Sequence, residues 1–230
     1  PREDLFIDVG MMADALAGVV AVGDVVTIRR EQIELAGDYL AAKALDDRAA
    51  VAAIVSCLEI LGRRRPFWDI YAVATVQEEL GLRGAITSTY GVAPHLGIAI
   101  DVTFGSQCGV SEWGVATMGG GPAIALGPNI HPRVHERLVA TAKAHEIPHQ
   151  IEPVPGRSGT DAWAMQVTRE GIPTGLVGIP LRYMHTSVET VNTRDIERTG
   201  RLLAEFIAGL DEAFAQELSA QVWRPGTRGG

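Results

Sequence analysis

The sequence predicts an α/β fold in which one central sheet lies between two layers of helices. Three apolar runs lack polar alternation, which is typical of strands buried on both faces: 70–76, 96–100 and 174–179. Helical patterns alternate with these runs, over 51–61, 82–89, 132–145 and 195–216. Because strands that alternate with helices build layered α/β domains, we expect a three-layer αβα domain over residues 41–220.

The two ends of the chain differ in character from this domain. Alternating or β-branched stretches predict short strands, and an Ala- and Met-rich stretch predicts a short helix: strands at 5–9, 25–29 and 33–40, helix within 11–20. We interpret residues 1–40 as part of a small β-rich lobe. Residues 221–230 are rich in Gly and Arg, and we expect a disordered tail there.

Composition excludes several classes of protein. The chain has 230 residues, 47% of them hydrophobic, so a folded core is expected rather than disorder. The net charge of −8 and the absence of a long basic run argue against nucleic acid or an anionic membrane as partner. Cys57 and Cys108 do not form a CxxC pair, so we expect no disulfide scaffold, no thiolate metal site and a cytoplasmic location. The chain opens at Pro1 without an initiator Met, which is typical of a fragment or a processed chain.

Two adjacent carboxylates, Glu78 and Glu79, follow the apolar run 70–76 and precede a turn punctuated by glycine. Ligands of open α/β sheets bind beyond the carboxyl ends of the strands, which is where this pair is expected. Adjacent carboxylates repel each other and are costly to enclose without a cation. The pair alone leaves two interpretations open: a metal site, or the solvated first turn of a helix.

Further polar residues lie next to other predicted helices and strands, at the same edge of the predicted sheet as Glu78 and Glu79. Asp46, beside Asp47, precedes the helix at 51–61, Asp101 ends the strand at 96–100, and His185 follows the strand at 174–179. Four carboxylates and an imidazole would repel one another without cations, whereas two divalent ions would balance their charge. Oxygen and nitrogen ligands without thiolate suit zinc, cobalt or manganese. Paired ions with a non-ligating carboxylate as base are a recurrent device for hydrolysis.

Five motifs stand in the order found in the M42 family of metallo-aminopeptidases, the tetrahedral (TET) aminopeptidases. They are Ala-Leu-Asp-Asp-Arg at 44–48, Gln-Glu-Glu-Leu-Gly-Leu-Arg-Gly-Ala at 77–85, Ala-Ile-Asp-Val-Thr at 99–103, Gly-Thr-Asp-Ala at 159–162 and Arg-Tyr-Met-His at 182–185. Together they cover nearly the whole chain, which therefore resembles this family. The resemblance implies a dinuclear metallopeptidase domain that removes N-terminal residues from peptides, using a metal-activated bridging water.

The resemblance also implies a role for each site residue. Asp46 would bridge two ions of zinc or cobalt, and its peptide bond to Asp47 would be cis. Glu79 and His185 would complete one ion's protein ligands, Asp101 would bind the other, and Glu78 would be the general base. Three further residues would contact substrate: Thr160, Asp161 and Arg182.

Residues 1–40 would be the later part of a dimerisation lobe, through which the family forms dimers and then dodecamers. One departure from the family pattern stands out: its His-x-Asp motif is missing, since none of the six histidines stands in such a triplet. We therefore expect one ion to bind well and the second poorly, with weak or no activity. Two alternatives stay open, a deacylase or other amidohydrolase of the same clan and a non-catalytic assembly subunit.

Overall fold

The computed structural model of the chain describes residues 4–62, 64–111 and 114–220. The strands are β1 Ile33–Leu35, β2 Tyr39–Ala42, β3 Gly97–Phe104, β4 Ala123–Leu126, β5 Gln150–Pro153, β6 Thr174–Arg182 and β7 Glu189–Asn192. The helices are α1 Ala13–Leu16, α2 Leu45–Leu61, α3 Arg83–Val92, α4 Pro132–Ala144, α5 Asp161–Gln166, α6 Thr193–Ala208 and α7 Glu212–Ala220. None of the described helices has the length and apolarity that a bilayer crossing requires.

Strand β6 organises the sheet. Along one edge it pairs in parallel with the whole of β3. Its other edge is shared, because β4 pairs with Val177 and Gly178 while β7 pairs with Leu181 and Arg182, both antiparallel. Beyond them, β5 joins β4, and β2 and β1 extend the sheet from β7. The result is a mixed sheet whose central strand lies against three neighbours.

Alternate side chains of the central strands enter cores on opposite faces, which confirms the predicted three-layer architecture. Val177 of β6 packs with Leu138 of α4 and Phe206 of α6. Its neighbour Leu176 instead packs with Ala162 of α5. This alternation is the period of two expected of a strand with helices on both faces.

Several predicted elements are wrong in extent. The stretches 5–9 and 25–29 form no strand, and the helix predicted within 11–20 is confined to α1. Their side chains are exposed, as Phe6 at 91% and Val25 at 99% illustrate. A stretch of β-prone residues becomes a strand only where a neighbouring strand hydrogen-bonds with its backbone N–H and C=O groups. Among the described residues, no strand pairs with 5–9 or 25–29. The predicted helix 195–216 is two helices, separated at Gly209, and the tail 221–230 lies outside the described residues.

The predicted strand at 70–76 is also wrong as a strand. Residues 69–75 lie in neither helix nor strand, and no backbone hydrogen bond joins them to another described residue. They face β3 across a largely apolar cavity of ≈ 460 Å³, which α2 and α6 also line. On that side β3 has no strand partner in the described parts of the chain. The run has the composition of a buried strand but lies beside an unfilled gap in the sheet.

Candidate metal centre

Asp46, Glu79 and His185 converge at one point of the surface. Their candidate ligand atoms all lie within 4.8 Å of one another. The Nε2 atom of His185 is 3.1 Å from Oδ2 of Asp46 and 3.4 Å from Oε2 of Glu79. The Asp46 side chain is 9% exposed and that of His185 64%, so the group opens to solvent on one side. The three residues that the sequence assigns to one ion are thus brought together.

The backbone around Asp46 places its carboxylate outside the helix. Asp46 and Asp47 have non-helical dihedral angles although they stand at the start of α2, and the peptide bond between them is cis, as predicted. Oδ1 of Asp47 accepts a hydrogen bond from the Ala50 N–H at 2.9 Å, the usual bond of a helix N-cap. Nε of Arg48 donates to the Ala44 carbonyl at 2.7 Å and holds the preceding turn. Because Asp47 caps the helix, Asp46 is left for another role.

The turn that carries Glu78 and Glu79 depends on Gly84. The Gly84 N–H donates to the Val76 carbonyl at 2.9 Å. A Cβ at this position would lie 2.3 Å from the Val76 nitrogen and 2.6 Å from its oxygen, so no larger residue fits. The close approach fixes the start of α3 against the end of the 69–75 segment, and the two glutamates project from the turn between them.

A second group of carboxylates lies beside the first. Burial, followed by the charge of Asp47, raises the pKa of Asp101 to about 9. Burial raises the pKa of Asp47 to about 7, with a smaller contribution from Asp46. The pKa of Glu78 also rises to about 7, through burial and then the charges of Asp161 and Glu79. The carboxylates are therefore close enough to penalise one another's ionisation.

The excess of negative charge suits divalent cations. Burial and the charge of Glu79 raise the pKa of Asp46 to about 6, so the charged form of this carboxylate is disfavoured although His185 lies beside it. Oδ1 of Asp161 is buried and forms no hydrogen bond with any described residue, although Oδ2 accepts one from the Thr75 hydroxyl at 2.6 Å. Two carboxylate oxygens and an imidazole nitrogen are ligands that zinc and cobalt accept. The residues present fit such an ion.

Sequence comparison supports the interpretation of this site. The profile of the M42 glutamyl aminopeptidase family matches residues 1–202. The chain belongs to this family. The matched range includes Asp46, Glu78, Glu79, Asp101 and His185.

Individual M42 relatives are considerably longer than this chain. Lysyl aminopeptidase of Pyrococcus furiosus is 44% identical over 158 residues, which are 69% of this chain and 45% of that protein. Aminopeptidase APDkam598 of the archaeon Desulfurococcus kamchatkensis has a TM-score of 0.82 and 38% identity, covering 89% of this chain and 59% of its own. PhTET1-12s, solved as a dodecamer, has a TM-score of 0.68 and 26% identity over 79% of this chain and 54% of its own. The chain thus spans about half the length of the relatives that it matches.

The predicted substrate contacts differ in their surroundings. Asp161 lines the same cavity as Glu78. Thr160 is 9% exposed, and its hydroxyl accepts a hydrogen bond from the Ala162 N–H at 3.3 Å as the N-cap of α5. Nε of Arg182 donates to the Ser106 carbonyl at 2.6 Å, and its guanidinium lies over the ring of Tyr39 at 5.4 Å. Of the three, only Asp161 both lies beside the carboxylates of Glu78 and Asp101 and has a buried oxygen that forms no hydrogen bond with a described residue.

The strand end predicted at Asp101 is wrong, and Glu189 beside the centre was not predicted at all. Asp101 was placed at the end of a strand, but β3 continues to Phe104 and Asp101 lies within it. Glu189 was not considered, because β7 was not predicted. A signal did exist for it: a lone carboxylate inside the β-branched run Val188 to Val191 is unusual for a short strand.

Proposed function

We propose that this chain carries the catalytic centre of a metal-dependent aminopeptidase, which releases N-terminal residues from peptides. The observation that carries the proposal is the convergence of Asp46, Glu79 and His185 within 4.8 Å of one another. Asp46, Glu79 and His185 would hold one divalent ion of zinc or cobalt. Asp101 would hold a second ion, together with Asp46.

Bound ions of this kind polarise a scissile carbonyl and lower the pKa of a water molecule toward about 7. Glu78 is the general base beside them. Its pKa of about 7, raised first by burial, suits a group that takes a proton from water and gives it to the leaving amine near neutral pH. Glu79 is the ligand of the pair, since its carboxylate lies 3.4 Å from Nε2 of His185.

Peptide substrates approach through the cavity that Glu78 and Asp161 line. Asp161 has the strongest support as a substrate contact, because one of its oxygens is buried without a hydrogen bond. Thr160 and Arg182 are engaged with the protein's own groups and act by shaping the wall of the site.

The intact protein is a homo-oligomer assembled through residues 1–40, up to a dodecamer like that of PhTET1-12s. Support comes from the large apolar side chains that this region exposes, among them Phe6 and Val25. The location is cytoplasmic, in keeping with the free thiols of Cys57 and Cys108.

Calorimetric titration of the chain with zinc tests the metal assignment. One ion should bind tightly at Asp46, Glu79 and His185. The second ion should bind weakly, because Asp101 shares no three-residue ligand group within the described part of the chain. Glu79→Gln should remove the tight ion, whereas Asp101→Asn should leave it. Two tight ions of equal affinity would contradict the assignment.

Glu78→Gln in the longest available form of the protein tests the role of the base. Activity on aminoacyl-anilides should fall about 10²–10⁴-fold while zinc content is unchanged. Loss of zinc together with activity would mean that Glu78 is a ligand. Cleavage of N-acyl amino acids in preference to aminoacyl-anilides would favour a deacylase instead.

A further inference from the structure

Glu189 is a buried carboxylate that contacts the backbone of two proposed metal ligands at once. Its side chain is on β7, and the residue is 2% exposed. Oε2 accepts a hydrogen bond from the Asp46 N–H at 3.0 Å, and Oε1 accepts one from the His185 N–H at 2.8 Å. A single side chain therefore joins the start of α2 to the loop between β6 and β7.

Both of the backbone segments that Glu189 joins have conformations that need support. Asp46 has non-helical angles at the head of a helix, and His185 is left-handed with φ of 60°. Left-handed backbone is unfavourable for residues other than glycine and persists only where the surroundings enforce it. The Glu189 carboxylate accepts hydrogen bonds from the amides of these two residues and from no other described backbone amide.

Charge gives Glu189 a second effect on the same site. No described Lys, Arg or His lies within ion-pair distance of its carboxylate. A buried carboxylate whose only described partners are two amides gains from a nearby cation. A cation held by Asp46 and His185 would therefore also be attracted by the Glu189 carboxylate, which hydrogen-bonds both of their backbone amides.

We infer that Glu189 is a positioning residue of the metal centre, which holds Asp46 and His185 at the separation that one divalent ion requires. The inference rests on the proposed function, since it presumes that these residues bind an ion. Residues that orient metal ligands without touching the metal typically change its affinity about 10–100-fold when replaced.

Asp195 offers a control in the same chain, although Nη1 of Arg198 also lies 3.5 Å from its Oδ1. It is likewise a fully buried carboxylate, and its two oxygens accept hydrogen bonds from the N–H groups of Gly119 and Gly121 at 2.7 and 2.8 Å. Those amides belong to a glycine turn that contributes none of the proposed ligands. In either variant, a buried carboxylate that accepts from two backbone amides is replaced by a side-chain amide. Only the change at Glu189 disturbs the proposed metal ligands.

The test compares zinc dissociation constants and cobalt absorption spectra of Glu189→Gln and Asp195→Asn with the parent chain. Glu189→Gln should weaken zinc binding about 10–100-fold and alter the visible spectrum of bound cobalt, whereas Asp195→Asn should leave both unchanged. Equal dissociation constants for all three chains, or equal losses in both variants, would overturn the inference. Should Glu189→Gln fail to fold, Glu189→Asp replaces it, because the shorter carboxylate cannot reach both amides. A folded Glu189→Asp chain with parental affinity would refute it too.

The same experiment separates this inference from the proposed function. If the parent chain binds zinc through Asp46, Glu79 and His185 but Glu189→Gln binds it equally well, only the positioning role fails. If the parent chain binds no zinc at all, both fail together.

Discussion

Nε2 of His185 lies 3.1 Å from Oδ2 of Asp46, although the two residues follow different elements of the fold. This contact carries the first prediction. His185→Ala should weaken zinc binding at least about 100-fold, because it removes the imidazole from a three-ligand group. Zinc titration with a competing chelator measures the change. His145→Ala is the control, since that imidazole lies beside Glu205 rather than at the site. Equal affinity in His185→Ala and the parent chain would contradict the ligand assignment.

The second prediction concerns pH. Burial raises the pKa of Asp101 from its usual 3.8 to about 9 in the folded protein, so the folded state holds this proton more tightly than the unfolded state. Its contribution to stability is therefore complete below about pH 4 and is lost as the pH rises toward 9. Metal-free protein should melt at a lower temperature at pH 8 than at pH 5.

Asp101→Asn should remove much of this dependence and raise the melting temperature of the metal-free chain at pH 8. The amide oxygen can still accept the hydrogen bond from the Val102 N–H. Thermal melts in a chelating buffer at the two pH values provide the measurement, and exposed Asp14→Asn is the control. If Asp101→Asn melted at a lower temperature than the parent at pH 8, the prediction that the ionised Asp101 carboxylate destabilises the fold would be wrong.

The third prediction concerns the core between α4, α6 and the sheet. Phe206 is 1% exposed, and its ring meets that of Phe214 edge to face at 6.5 Å between centroids. Phe206→Ala should lower the free energy of unfolding by about 3–5 kcal/mol, since it deletes a large buried side chain. Urea denaturation measures this loss. Val167→Ala, at an exposed position, should change the free energy by less than about 0.5 kcal/mol.

The fourth prediction concerns assembly. Val25 is 99% exposed in a region proposed to join copies of the chain. Val25→Glu should shift the protein toward smaller species in sedimentation analysis without a change in melting temperature, because a charge then replaces apolar contact area. Val167→Glu, also at an exposed valine, should not shift the distribution. An unchanged size distribution in Val25→Glu would place the interface elsewhere.

The sequence predicted the parts of the fold whose signal is local. Helix α4 spans Pro132–Ala144, within one residue of the predicted 132–145, because an amphipathic pattern starts directly at a proline in the first helical turn. The convergence of Asp46, Glu79 and His185 was predictable because each lies near the end of an element: Asp46 at the start of α2, Glu79 before α3 and His185 after β6.

Features that depend on distant partners were not predictable. Residues 70–76 have the composition of a strand, but composition does not reveal whether a neighbour pairs with them. Glu189 accepts from the nearby His185 amide and from the Asp46 amide, which is 143 residues away, so no local pattern discloses that it joins the two. The helix break at Gly209 depends on the Asp211 side chain, which accepts from the Phe214 N–H at 2.9 Å and starts α7 afresh.

Left-handed backbone surrounds the centre at five residues that are not glycine: Ala44, Gln77, Leu82, Tyr183 and His185. Each costs about 1–3 kcal/mol, which the surrounding core must offset. The backbone conformations that fix the proposed ligands therefore lower the stability of the fold. Glycine at these positions would relax the loops and favour the fold, while the ligands they carry would lose their fixed spacing. Efforts to make the protein more heat-resistant should accordingly begin in the helical cores and leave these five residues as they are.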